Sequence, residues 1–512
     1  MELELKYQEL NYKKRVLFRT FTKEETFEVN LSETQPDAVR TICTTASPYM
    51  RTKDAENGRM SVSGSFDVSV LYASDAAPAI NRISLTRDFS AFTECDEVTE
   101  GSQLTAEITV SSAEARLINS RKLHIKVELL YTLAAYENAS LSLPSGFADQ
   151  NGLESMSEIT RFTAPSSVNE KTFAITDEQT LNGIDDIAGA MLSFSVEDVR
   201  RVGAKAVVRG TAKTRIVYTQ NSGYIAAKTL ESPFSQVVDL DEEAEYSDFL
   251  VTVMGTGAYV AKDQSGESDS VSLELHGVIQ CVSYKEFEAE TLSDAYSISG
   301  DLTLDTSSVS LMNFLGTEKA STDISCEFKT PQDVRSIDAI LAFPGLSTAG
   351  REELSVPTSI TTVYSSQSEE IFGAARGASG QSALSSSDEA AYFVISSYAD
   401  AEHAEYNRTE DGIAVRFSVR TLLERSKILC LNYISSASLD PCEESGEKRP
   451  SLIACRVGDN DTLWSLAKRY RSTPDSILSV NGMKNESELT RGRLILIAKN
   501  EDESSAIKDN LC

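Results

Sequence analysis

The chain has 512 residues, and its 48 Lys plus Arg against 78 Asp plus Glu give a net charge of −30. Such a length implies several domains, and such a charge argues against nucleic acid and anionic membrane surfaces as partners. No stretch approaches the ~20 consecutive apolar residues of a membrane-spanning helix, and the charged start Met1-Glu2-Leu3-Glu4-Leu5-Lys6 has no apolar run of a secretory signal.

From the N-terminus onward the sequence repeats. Tyr72, Tyr218 and Tyr364 each end a strand-like segment and follow one another at intervals of 146 residues. Upstream, Val62-Ser63-Gly64 matches Val208-Arg209-Gly210 at the same interval, whereas the third copy has Leu354-Ser355-Val356 and lacks the glycine. Downstream, Phe89-Ser90 matches Phe234-Ser235, and the third copy is Ser- and Ala-rich from Ala374 to Ser387. Period-2 alternation dominates, as in Ser65-Phe66-Asp67-Val68-Ser69-Val70. In each copy the apolar spacing before that strand predicts an amphipathic helix: Pro36 to Cys43, Leu181 to Leu192 and Pro331 to Leu341. The expected fold class is therefore mainly β with some helix (α+β), with three tandem β-rich units. Their expected boundaries are 1–160, 161–305 and 306–437. Thr163 to Ser167 and Ser299 to Ser308 are polar enough to be joints, Ser438 to Ser451 reads as a tether, and the acidic tail 499–512 reads as disordered.

Residues 452–498 form a different kind of unit. Leu452 to Val457 predicts a short strand. Thr462 or Asp461 can cap a helix whose apolar face is Leu463, Leu466, Ala467 and Tyr470. Thr473 caps a second helix with Pro474 at its first position. Asn481-Gly482 is a turn dipeptide, and Arg493 to Ala498 closes the sheet. This βααβ module carries seven basic and five acidic residues between 455 and 498, in contrast to the acidic body.

Enzyme chemistry has no foothold. There are three histidines, and no Gly-x-Ser-x-Gly, P-loop or His-Glu-x-x-His occurs. His124 and His276 fall in corresponding late strands and read as structural. The eight cysteines are scattered without metal-ligand spacing, which fits reduced thiols in a cytoplasmic protein. The expectation is a non-enzyme without cofactor or metal.

The C-terminal module, on its Cys455-to-Tyr470 run, Thr473-Pro474-Asp475, Asn481 and closing apolar strand, resembles a LysM domain. Three β-rich units followed by LysM resemble the SPOCS-domain spore coat morphogenetic proteins of the SipL type, on the Val-x-Gly strand, the strand ending in Tyr and Pro233-Phe234-Ser235. The resemblance implies a mother-cell scaffold at the forespore surface. Its LysM would bind a coat morphogenetic ATPase, and its repeats would bind other coat or engulfment proteins. The alternative it implies is an N-acetylglucosamine glycan of peptidoglycan as ligand. It places the groove at Asn460, Asp461, Thr462 and Leu463 on one side and Asn481, Gly482 and Met483 on the other. The family usually has Gly where this chain has Asn460, a residue that tolerates the left-handed conformation. A protein-binding LysM would use its basic rim, Lys468, Arg471 and Lys484.

Overall fold

The computed structural model describes residues 1–76, 79–149, 152–240, 246–262, 270–330, 333–385, 389–441 and 452–498. The first unit has six strands: β1 (Leu5–Asn30), β2 (Arg40–Glu56), β3 (Arg59–Ala73), β4 (Ile80–Glu94), β5 (Gln103–Asn119) and β6 (Lys122–Phe147). Two antiparallel sheets result, β1-β6-β5 and β2-β3-β4. The second unit repeats the plan with β7 (Leu153–Thr180), β8 (Ile184–Val202), β9 (Lys205–Gln220), β10 (Ile225–Asp239), β11 (Tyr246–Lys262) and β12 (Ser270–Ser297). The third has β13 (Gly300–Lys329), β14 (Val334–Pro344), β15 (Thr348–Ala349), β16 (Glu353–Ser366), β17 (Ile371–Ala383), β18 (Ala391–Ala399), β19 (Glu405–Thr409) and β20 (Gly412–Pro441). The C-terminal module holds β21 (Leu452–Arg456), α1 (Leu463–Tyr470), α2 (Pro474–Val480) and β22 (Leu494–Ala498).

The α+β expectation is thereby corrected to a mainly-β fold. Among the described residues the two short α-helices both belong to the C-terminal module, and the three expected body helices are instead the entries to β2, β8 and β14. Bulges explain the misleading spacing. In β8 the register slips between Ile184 and Asp186 and again between Ile187 and Gly189. In β14 it slips between Val334 and Ser336 and between Ile337 and Ala339. An extra residue in each short interval moves the inward position from every second residue to every third. Ile184 and Ile187, or Val334, Ile337 and Ile340, then imitate one face of a helix.

The repeat markers have packing reasons. Tyr72, Tyr218 and Tyr364 are buried at the ends of β3, β9 and β16. The Tyr72 hydroxyl reaches the Pro36 carbonyl at 3.3 Å, so the ring fills the core while its polar tip is satisfied. Gly64 lies directly across from Phe89, and Gly210 across from Phe234. A Cβ at either glycine would meet the facing phenyl ring and the carbonyl oxygen of Tyr49 or Ser195. In the third unit the small and large partners exchange strands, with Val356 across from Gly380. The missing Val-x-Gly glycine is thus supplied from the neighbouring strand.

The longest strands do more than close their own units. The outer halves of β1 with β6, β7 with β12, and β13 with β20 form two-stranded ribbons that come together as a stem. One layer of the stem joins Ala134, Tyr136, Tyr284 and Phe314, the Tyr284 and Phe314 rings stacking at 3.7 Å. A second joins Leu143, Phe162, Phe287, Ala289, Leu311 and Leu431, and a third Phe147, Leu292, Ala295, Ile434 and Ala437. Each layer draws residues from all three units. β7 runs through the polar stretch Thr163–Ser167, and β13 starts at Gly300 and takes in the rest of Ser299–Ser308. The N-terminus closes the arrangement, Leu3 donating to the Ala437 carbonyl at 2.9 Å and Met1 to that of Leu439 at 2.8 Å.

At the inner end of the stem, buried Arg15 of β1 pairs with buried Glu424 of β20. The Arg15 guanidinium also lies over Phe18 at 4.9 Å and Phe393 at 4.4 Å. Burial disfavours its charge, but Glu424, Tyr136 and Tyr284 outweigh that and raise its pKa. Replacing Glu424 by Ala strands a desolvated guanidinium and is expected to cost about 3–5 kcal/mol in denaturant unfolding. Gly64→Ala is expected to cost about 1–3 kcal/mol by overpacking. Gly377→Ala, where an added Cβ meets nothing within 4 Å, should leave the unfolding midpoint within experimental scatter or raise it.

Candidate functional site

The C-terminal module owes its shape to local capping. The Thr462 hydroxyl accepts from the Ser465 N–H while Ser465 Oγ takes the Thr462 N–H, a reciprocal cap at the start of α1. The Thr473 hydroxyl accepts from the Ser476 N–H to cap α2, with Pro474 in the first position. Leu463, Leu466, Ala467, Ile477, Met483, Ile495 and Ile497 form its core. Two sequence candidates for the groove, Leu463 and Met483, are therefore buried.

The other groove candidates are tied down to different degrees. Asp461 accepts from the Gly458 N–H at 2.8 Å and from Arg469 at 2.9 Å, and these bonds hold its carboxyl below the usual carboxylate range. The Asn481 side chain donates to the Ile477 and Leu496 carbonyls and accepts from the Leu496 N–H, which stitches α2 to β22. Gly482 takes a positive φ of 63°, the conformation that a turn there requires. Asn460 is exposed and does not use the left-handed backbone. Glu486 was not singled out in the sequence, yet its carboxylate crosses from the α2–β22 loop to accept the Leu463 N–H at 2.8 Å. Its position in a loop of unremarkable polarity gave no signal.

The basic rim is divided. Lys468 bonds Asp294 at 2.5 Å and Arg471 pairs with Asp301, both on the tip of the body's stem, whereas Lys484 is exposed. Trp464, the chain's one tryptophan, donates its Nε1–H to Asp294 at 2.8 Å and meets the Tyr296 ring edge-on at 5.0 Å. The Tyr296 hydroxyl donates to the Ser472 carbonyl at 2.8 Å, and Tyr296 shares the module's core. Burial opposes ionisation of Asp294, but the bonds from Lys468 and Trp464 prevail and lower its pKa. One face of α1 is thus seated on the stem tip by an aromatic pair and two ion pairs.

Among the described residues no group of three His, Cys, Asp or Glu side chains could hold a metal ion. The described cysteines are free, and burial pushes the Cys43 thiol up to about 12 and that of Cys281 up to about 11, far from a reactive thiolate. Cys442, Cys512, most of the expected tether and the acidic tail lie outside the described residues. No helix among those described is long and apolar enough to cross a membrane.

Because Trp464 reports on the seam alone, its emission tests the docking. Asp294→Ala leaves the indole N–H and the Lys468 ammonium without their acceptor, at an expected cost to the seated state of about 1.5–3 kcal/mol. A red shift and stronger acrylamide quenching are expected in Asp294→Ala and Tyr296→Ala, with the β-sheet circular dichroism unchanged. Unaltered emission in both would contradict the seam.

Comparison with known families gives two matches. Residues 455–498 match the LysM domain, and residues 37–118, covering β2 to β5, match the SipL, SPOCS domain. No curated protein and no solved structure was found to match. The matched domains are binding or scaffold domains rather than catalytic ones, and they fit a sporulation scaffold or a glycan-binding role. The chain thus carries a SPOCS domain of the SipL type at residues 37–118 and a LysM domain at residues 455–498.

Proposed function

We propose that this protein is a non-enzymatic scaffold of endospore formation. Its LysM module docks coat layers to the forespore surface by binding a coat morphogenetic ATPase in the mother-cell cytoplasm, and its β-rich units serve other coat or engulfment proteins. The second and third units, which repeat the strand plan of the matched one, are further copies of the SPOCS fold.

The observation that carries the protein-binding reading is the Glu486 bridge. A glycan lying between the two loops needs free backbone donors at close approach. Here the Leu463 N–H is already engaged by a carboxylate that spans those loops, and Asn481 is spent on α2 and β22. Peptidoglycan glycan is the second reading, favoured by the exposure of Asn460 and Gly482 on the facing loops.

The test compares the full chain with a chain truncated before Ser451 in pull-downs from sporulating-cell lysate, with purified sacculi as competitor. The full chain is expected to recover the ATPase whether or not sacculi are present, and the truncated chain to lose it while keeping its β-sheet signal. Co-sedimentation of the full chain with sacculi and no ATPase recovery would support the glycan reading instead.

A further inference from the structure

The stem ribbons open inward onto a cavity of about 350 Å³ where the three units meet. Bulges fix the equivalences around it. The skipped residues Val16, Ser166 and Leu315 lie opposite Tyr136, Tyr284 and Ser426. Four residues before these, Thr132, Gln280 and Leu422 pair with Glu107, Thr252 and Ser396. All three of the last set line the cavity. The repeat therefore presents three equivalent positions to a common space, two with neutral hydroxyls and one with a carboxyl group.

That carboxyl is unmatched. Glu107 Oε2 is sealed from solvent without a hydrogen-bond partner. The cavity's other charged groups each have a partner of their own. Glu197 accepts from Thr211 at 2.6 Å, Lys213 pairs with Glu231 at 3.2 Å, Lys319 donates to the Val196 carbonyl at 3.1 Å, and Arg420 bonds Asp400 at 3.3 Å. Lys53, beyond Gln280, is paired with Glu170. The remaining wall is largely apolar, with Ile108, Phe194, Val253, Met254 and Leu422. Its size falls within the range of small-ligand sites, which combine apolar walls with a few convergent polar groups.

We propose that this three-way cavity binds a small amphiphilic cation, a primary ammonium on a short apolar body, with Glu107 as its counter-ion. A divalent metal does not fit, since among the described residues no group of three His, Cys, Asp or Glu side chains could hold one. An anion would meet the Glu107 carboxyl, and a neutral apolar molecule would leave that carboxyl without a counter-ion.

Binding should be proton-linked. Burial alone pushes the empty site's Glu107 up to about 8, so at pH 7 the cation must displace a proton. The sign follows: affinity rises with pH, about tenfold per unit below that value, and levels off above it. Tyr398, which also lines the space, is pushed up to about 12 by burial, so it does not titrate in this window.

The experiment is calorimetric titration of the full chain with hexylammonium, with hexanol and hexanoate as matched probes, at pH 6, 7 and 8. Saturable one-site binding of hexylammonium is expected, at least tenfold tighter than hexanol at pH 8, weakening about tenfold from pH 7 to pH 6, and lost in Glu107→Gln. The variant keeps nearly all of the chain's negative charge, so unspecific cation binding would persist in it. Equal binding of hexanol, equal binding by Glu107→Gln, or an affinity unchanged between pH 6 and 8 in the unmodified chain would each overturn the proposal. The pH series stands even where Glu107→Gln alters folding.

Discussion

The structure depends on three ribbons closing around one apolar axis. A two-stranded ribbon in water is marginal, because one face of each strand pair has nothing to bury against. Here the outer halves of β1–β6, β7–β12 and β13–β20 each supply that face to the other two. The ring must be closed between the first and last units, and the chain does so where it begins. Met1 and Leu3 bond β20, and Arg15 pairs with Glu424 in the same strand. A buried ion pair is a poor source of stability against an apolar substitute, but removing one partner leaves the other charge stranded. The pair sits next to the bulge at Val16, where β1 leaves its own unit for the stem.

Closure also explains what could and could not be read from the sequence. Strand alternation and the 146-residue interval of Tyr72, Tyr218 and Tyr364 are local consequences of one buried face, so the β-rich character of the body was legible. The stem was not. Its strands present alternate faces to solvent and to the other ribbons, so polar runs such as Thr163–Ser167 look like joints although β7 runs through them. The body helices were misread for a definite reason, since paired bulges in β8 and β14 impose a three-residue spacing on a strand. The third Val-x-Gly lacks its glycine in the sequence, but Gly380 supplies the space across the ladder. A single-strand motif cannot show a compensation made on the neighbouring strand.

In the C-terminal module the caps at Thr462 and Thr473 and the Asn481-Gly482 turn were legible because each depends on residues three or four apart. The tertiary uses were hidden. Asn481 reads as a turn residue and also serves as a strut to β22. Lys468 and Arg471 read as a free rim and are held by Asp294 and Asp301, residues about 170 positions upstream. Any partner of this face must therefore displace the stem tip, while Lys484 and the loops of Asn460 and Gly482 remain open to a partner without displacement.

The stem and the central cavity are two results of the same approximate symmetry. Three equivalent ribbons can fill an axis with apolar rings only while equivalent side chains are of similar size. Around the Tyr136 layer two of the equivalent positions hold Tyr136 and Tyr284, and where the third is Ser426 the ring comes from Phe314 across the ladder, stacked on Tyr284. One turn of the ladder inward the three positions hold Glu107, Thr252 and Ser396, and no arrangement of two hydroxyls and a carboxyl packs a shared space as rings do. A scaffold selected for packing alone would place small apolar residues there. A buried carboxyl at the point where all three units converge instead links the occupancy of that space to the way the units are held together, so that a cation entering it would stabilise the closed ring on which the stem, and the module seated on its tip, depend.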